Sequence, residues 1–221
     1  MFDGKYSKLL TGLLIAGIAI ILIVIICLGF NFIRNYYINN DAKDAVEKFE
    51  GEINNTQKNK ENSTDANDVA PIIDPEDIVI GNNGSSNTQM YKGFPMVGTI
   101  EIPSINLKYP VLQNSSKSAI EVAVALYYGP GLNEIGNTVI VGHNYRNGTF
   151  FSNLKKVVEG DKIYIIDLSG NKVTYTVYKL YTTSPEDSSY LDRSTEGKME
   201  VTLLTCTDDS NSRLTVWARA D

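Results

Sequence analysis

The chain has 221 residues, room for one domain of ordinary size with attachments or for two small ones. Its net charge of -6 argues against a nucleic-acid binder held by a general basic field, and one His and two Cys are too few for a Cys/His zinc cluster or a disulfide framework. The acidity is local: residues 1–30 carry +1, residues 31–91 carry -6 and residues 92–221 carry -1.

Leu9 to Phe30 is a run of 22 residues without a charge, rich in Ile and Leu. At ~1.5 Å per residue such a helix spans the ~30 Å hydrocarbon core of a bilayer, and a globular core rarely takes a helix so long and apolar on every face. A cleavable signal peptide has a shorter apolar region, about 7–15 residues, closed by a small-x-small site. Here the run is followed by Asn31-Phe32-Ile33-Arg34, so an uncleaved transmembrane anchor is expected at 9–30 behind a short tail at 1–8. Cys27 follows Val24-Ile25-Ile26, where an acylation site requires a small residue, and reads as apolar filler. Lys5 and Lys8 on one flank nearly balance Arg34, Lys43 and Lys48 on the other, which leaves orientation open.

Residues 31–91 read as a linker that lifts a domain off the bilayer. Asn39 to Glu52 carries weak helical patterning through Ala42, Ala45, Val46 and Phe49, as for a helix continuing out of the membrane. Residues 54–68 are polar and poor in apolar side chains, an expectation of disorder, and Asn82 to Asn87 is a second loose stretch. Between them, Ile72-Ile73 and Ile78-Val79-Ile80 are apolar enough to dock on a folded surface.

A β domain is expected over 92–221. Gly98 to Ile102 alternates and ends at Pro103, and Leu107 to Leu112 is a second strand. Lys117 to Leu126 has helical patterning, and a short turn is expected near Phe151 to Val157. Thr138 to Val141 suits a buried strand; Lys162 to Asp167 and Lys172 to Tyr181 flank the hairpin signature Ser169-Gly170-Asn171; Met199 to Thr205 and Leu214 to Ala218 complete the set. Seven or eight short strands in ~130 residues suggest a closed barrel or a sandwich with small helices.

Three side chains stand out chemically. Cys206 ends an apolar strand, in Thr202-Leu203-Leu204-Thr205-Cys206, a place from which a thiol is presented at the mouth of a barrel; a buried inert thiol is the alternative. His143 also follows an apolar strand, in Gly142-His143-Asn144, where Gly142 lets the backbone turn sharply and leaves space around the ring. It is the only side chain whose ordinary pKa lets it trade protons with a thiol near neutral pH, although a lone His is more often structural. Arg213 opens the strand after Cys206 and folds back beside the thiol, placed to stabilise an oxyanion; a surface Arg paired with Asp208 or Asp209 is the alternative.

Together these residues resemble the sortase family. Thr202-Leu203-Leu204-Thr205-Cys206 is similar to its Thr-Leu-x-Thr-Cys signature, Gly142-His143-Asn144 to its Gly-His segment, and Arg213-Leu214-Thr215-Val216 to the Arg that opens its final strand. Gly98 to Ile105 resembles the family's first strand, and the elements follow the family's order across 92–221. The resemblance implies a mainly β fold, a closed barrel of about eight strands with short helices, behind the N-terminal transmembrane helix. It implies a cysteine transpeptidase of a Gram-positive cell envelope. Cys206 would attack the Thr–Gly bond of an LPxTG-like sorting signal, His143 would move protons, and Arg213 would hold the oxyanion. Thr205 and Asn144 would support the oxyanion or the substrate. The acceptor would be an amine of a peptidoglycan precursor or of a pilin, and neither cofactor nor metal is expected. The anchored domain would then lie outside the cell membrane, and a single thiol in the domain suits that compartment.

Subclass is mixed. Gly142 to Phe151 and the short Cys-to-Arg turn look like class B, yet Tyr181 to Lys198 is too short for the helical insertion of that class and resembles class A or D. Class C is less expected, since Asp74-Pro75 precedes Glu76 rather than an aromatic residue and the chain ends at Asp221. Some class A members bind Ca²⁺ through acidic loops; Glu186, Asp187 and Asp192 lie in the comparable loop, which reads as simply solvated. Two other functions stay open: a membrane-anchored β-barrel binding or scaffold module without chemistry, and a hydrolase that resolves the same acyl-enzyme with water.

Overall fold

A computed structural model of the chain describes residues 4–61 and 89–221. The first element is one helix, α1 (Gly4–Glu61). Residues up to Asp41 form one unit and Ala42–Asp221 a second. In the first unit the large apolar side chains, from Leu10 to Phe32, are exposed on every face of the helix. It is the one helix among the described residues long and apolar enough to cross a membrane. A helix that buries no apolar face against protein is suited to lipid.

Within the second unit, α1 docks on the β structure. Ala42, Val46 and Phe49 are buried at i, i+4 and i+7, the spacing of one helix face. Phe49 packs with Tyr91, Met96, Leu112, Ala119, Ala123 and Ala125. Glu50 receives Lys108 Nζ at 3.5 Å, and Gln57 Nε2 donates to the Ser169 carbonyl at 3.0 Å. These contacts carry the helix beyond Glu52 to Glu61, so residues 54–61 are helical where composition favoured disorder. Part of the segment expected to be a spacer is thus packed on the domain. The expectations for 62–88 lie outside the described residues.

Among the described residues, nine strands follow. They are β1 (Met90–Tyr91), β2 (Phe94–Ile102), β3 (Leu107–Leu112), β4 (Val124–Tyr128), β5 (Gly136–Val141), β6 (Lys162–Asp167), β7 (Lys172–Thr183), β8 (Met199–Cys206) and β9 (Arg213–Ala220). They form one sheet in the order β1-β2-β3-β4-β5-β8-β9-β7-β6, and a further β2–β6 pairing closes β2 to β9 into an eight-stranded barrel. Ile140, Leu203 and Val216 lie opposite one another on adjacent strands and are fully buried, part of the barrel's inner face. Gly98 sits at the closure, paired with Val111 on one side and Asp167 on the other. A Cβ there would lie 2.2 Å from the Ile166 carbonyl oxygen, so only glycine lets the strands meet.

Two elements differ from the sequence reading. The helical pattern over Lys117 to Leu126 yields only α2 (Lys117–Ile120), capped by Ser116, whose Oγ accepts from Ala119 N at 3.3 Å. The rest becomes β4, because Ala123, Val124 and Ala125 are apolar on both sides and fill the gap between β3 and β5. The two-residue β1 was not expected; it pairs with β2 across Lys92-Gly93, both at positive φ, the geometry of a tight hairpin turn. The expected turn near Phe151 is a 3-10 turn at Leu154–Lys156. The β7–β8 connection holds turns and no helix.

Candidate active site

The site grows from three neighbouring strand ends. β5 and β8 run parallel, in register from Gly136↔Met199 to Val141↔Leu204. Past the last pair, Gly142 N donates to the Leu204 carbonyl at 3.2 Å, and the buried Thr205 hydroxyl donates to the Gly142 carbonyl at 2.7 Å. His143 follows two residues after Val141, as Cys206 follows two residues after Leu204. β8 and β9 are antiparallel, and Cys206 pairs directly with Arg213, so thiol and guanidinium leave the sheet from the same face. Cys206 and Arg213 are thus cross-strand neighbours, and His143 lies two residues beyond the end of the β5–β8 ladder; each is half-buried. Thr207 N donates to the Ser212 carbonyl at 3.0 Å and closes the turn between Cys206 and Arg213.

Gly142 has a different purpose from the one expected. It does not adopt positive φ; a Cβ there would meet Val124 Cγ1 at 2.8 Å and Phe151 Cδ2 at 2.9 Å. Its role is close packing under the His-bearing segment rather than a sharp bend.

The segment after His143 is fastened to the turn after Cys206. Asn144 Nδ2 donates to the Cys206 carbonyl at 3.0 Å and to Asp208 Oδ1 at 2.9 Å, while Asn144 Oδ1 accepts from Arg146 N at 3.0 Å. Its amide is committed to positioning and is not free to support an oxyanion. Thr205 likewise spends its hydroxyl on Gly142, not on Arg213. Asp208 also receives Lys155, and hydrogen bonds from Lys155 and Asn144 hold its carboxyl below the usual range. Asp209 is engaged by Thr207 and Asn211, so neither carboxylate pairs with Arg213.

The imidazole has its own support. Its ring lies 4.9 Å from the Tyr145 ring, Tyr145 packs on Phe150 at 5.6 Å, and Phe150 on Tyr109 at 5.3 Å. The His143 carbonyl accepts from Phe151 N at 3.1 Å. Burial lowers the His143 pKa below its ordinary value, and the nearby Glu121 carboxylate offsets part of that shift. Burial thus works against the imidazolium form and Glu121 works for it.

Along β8, side chains alternate, so Glu200, Thr202, Leu204 and Cys206 share a face. Next to the thiol this face is apolar: Leu204 packs with Val139 and Tyr190, and Val141, Leu191 and Trp217 join them. Tyr190 and Leu191 belong to the β7–β8 loop. No periodicity marks them in the sequence, because an irregular loop has none. Two of the loop's acidic residues have local partners: the Ser184 hydroxyl donates to Glu186, and Asp187 receives the Thr183 hydroxyl and Ser189 N. Among the described residues, no three His, Cys, Asp or Glu side chains come together as a metal site.

The family model for the sortase domain matches residues 100–221. Sortase A of Bacillus anthracis is 27% identical over 207 residues, covering 90% of each chain. Among solved structures, a lid mutant of sortase A from Corynebacterium diphtheriae is similar with a TM-score of 0.53 and 30% identity, over 58% of this chain and 71% of that one. The Clostridium perfringens sortase D5 transpeptidase is similar in fold over 82% of this chain and 99% of its own, with a TM-score of 0.59 at 22% identity.

Proposed function

This chain belongs to the sortase family, whose members are cysteine transpeptidases acting on sorting signals, and we propose that Cys206, His143 and Arg213 carry that reaction here on an LPxTG-like signal. The observation that supports the reading is the register of β5, β8 and β9, in which Arg213 pairs with Cys206 and β5 ends two residues before His143 against the end of β8.

The steps follow from that placement. Cys206 Sγ attacks the carbonyl carbon of the Thr–Gly bond as its proton passes to His143. The oxyanion is stabilised by the Arg213 guanidinium and backbone N–H groups. His143 then gives its proton to the glycine nitrogen as the C–N bond breaks, which leaves a thioester on Cys206. An acceptor amine attacks the thioester and loses a proton to His143, the C–S bond breaks, and the proton returns to the thiolate. Thr205 and Asn144 act by holding the His- and Cys-bearing segments together. The acceptor is an amine of a peptidoglycan precursor or a pilin. The apolar run 9–30 is an uncleaved membrane anchor, with the catalytic domain outside, where sorting signals and wall acceptors lie.

The test uses the full chain in detergent with LPxTG peptides, with and without an added amine. Cleavage between Thr and Gly, a covalent acyl adduct on Cys206 by mass spectrometry and loss of both in Cys206→Ala are expected. His143→Ala and Arg213→Ala should cost roughly 10²–10⁴ and 10²–10³ in rate. Full activity in Cys206→Ala would refute the assignment. Amine-independent product made only by water would favour the hydrolase instead.

A further inference from the structure

We propose that Arg193 is a positioning residue for donor binding: it fastens the β7–β8 loop across the sheet face that leads to Cys206. The inference rests on the transpeptidase reading above and deepens it.

The geometry begins with a buried charge. Glu200 has no exposed side-chain surface, although it stands on the same face of β8 as Cys206. A carboxylate in that position must be paired. Arg193 Nη1 pairs with Oε2, which also accepts from the Tyr178 hydroxyl at 2.8 Å; Arg219 Nε donates to Oε1 at 2.6 Å. Arg193 comes from the loop, whereas Tyr178, Arg219 and Glu200 come from strands. Its second nitrogen, Nη2, donates to Asn137 Oδ1 at 3.1 Å, and its guanidinium lies 4.3 Å from the Trp217 ring. Asn137 returns to the loop, donating from Nδ2 to the Tyr190 carbonyl at 2.8 Å and the Leu191 carbonyl at 3.0 Å. One loop side chain thus grips β8, β5 and β9 at once, and two loop carbonyls are tied to β5.

The consequence lies next to the thiol. The tether holds Tyr190 and Leu191 against Leu204, two residues before Cys206 on the shared face. Burial raises the Tyr190 phenol above its ordinary value, and Tyr127 and Arg213 are close enough to act on it. A donor whose Thr carbonyl sits at Cys206 extends by at most about 3.3–3.6 Å per residue, so preceding residues that run along the shared face would lie over Leu204 and Tyr190. The other side of the thiol is occupied by the Asn144–Asp208 network. The apolar part of the signal therefore meets the loop wall that Arg193 holds in place. Without the tether, only the fraction of molecules with the loop docked binds donor well, and apparent affinity falls by that fraction. The catalytic side chains are held by different bonds and should keep their reactivity.

The experiment compares the full chain in detergent with Arg193→Met, which keeps length but loses the charge, and Arg193→Lys, which keeps the charge. The double variant Arg193→Met/Glu200→Gln leaves no carboxylate unpaired and serves if the single variant does not fold. Two readouts are taken: kcat and KM for an LPxTG peptide, and the rate at which iodoacetamide alkylates Cys206, read by peptide mass spectrometry to separate it from Cys27. The expected result is a KM raised roughly tenfold in the Met and double variants, with kcat and alkylation rate within about threefold and an intermediate KM for Lys. An unchanged KM in the Met or double variant overturns the proposal. So does a parallel fall in kcat, alkylation rate and affinity, which would mark general structural damage. If the unsubstituted protein cleaves no donor, the transpeptidase reading itself has failed and this inference falls with it.

Discussion

At the scale of the residue, the proposed mechanism turns on His143. In that mechanism it takes the thiol proton and so must start neutral; burial favours that state while Glu121 partly opposes it. A base whose pKa is lowered loses function only when pH falls through that lowered value. The acid limb of kcat/KM should therefore lie below the ordinary imidazole range. Glu121→Gln removes the charge that favours imidazolium, so it should move the limb lower still. Because the chain has one His, its ring signals in an NMR titration report this group alone. A titration above the ordinary value, or one unmoved by Glu121→Gln, would contradict the account.

At the scale of the element, the docked part of α1 shows how packing overrides local composition. Phe49 is 1% exposed and packs with residues of β1 to β4 and α2. Phe49→Ala should cost about 3–5 kcal/mol of docking, more than ~100-fold in the undocked population. Proteolysis within 42–61 should speed up accordingly, and Phe49→Leu should restore most of the protection. Equal protease resistance in Phe49→Ala would mean that the helix stands without the barrel. The same contrast explains what could be read from sequence. β3 and β6 were legible to the residue, since alternation and turn residues bound them. β4 was not, because a short apolar run suits a helix or a buried strand equally until its neighbours are known. Cys206, His143 and Arg213 stood out as candidates through a local motif and a unique His. Arg193, Asn137 and Glu200 did not, because their meaning lies in contacts: Arg193 meets Asn137 56 residues away in the chain, and neither residue type marks a site alone.

At the scale of the whole molecule, docking the β7–β8 loop on the closed barrel buries one charge beside the apolar core. Among the described residues, Glu200 is the only charged residue that is buried, and it ties the outer loop to the closed sheet. Burial pushes its carboxyl up, but hydrogen bonds from Arg193, Tyr178 and Arg219 together outweigh burial and leave it below the ordinary value. The sign follows from linkage. A carboxyl with a lowered folded-state pKa adds stability that is fully present above its unfolded value and is lost as pH falls through the lowered one. The groups facing it are the guanidinium groups of Arg193 and Arg219, charged throughout, and the Tyr178 phenol, raised to about 12 and neutral throughout, so Glu200 is the member of this cluster that changes state in acid. The network should be intact at neutral pH and should weaken only below the ordinary carboxylate range. Glu200→Gln removes that titration and leaves Arg193 facing a neutral amide. Its Tm should be lower than that of the unsubstituted chain at pH 7, and the gap should narrow as pH falls below the ordinary carboxylate range and Glu200 is protonated in the parent. Thermal unfolding over that fall in pH, followed by the fluorescence of Trp217 beneath Arg193, measures both. A gap that stays constant with pH would show that Glu200 is not ionised in the folded protein, and the loop would then be held by neutral hydrogen bonds alone.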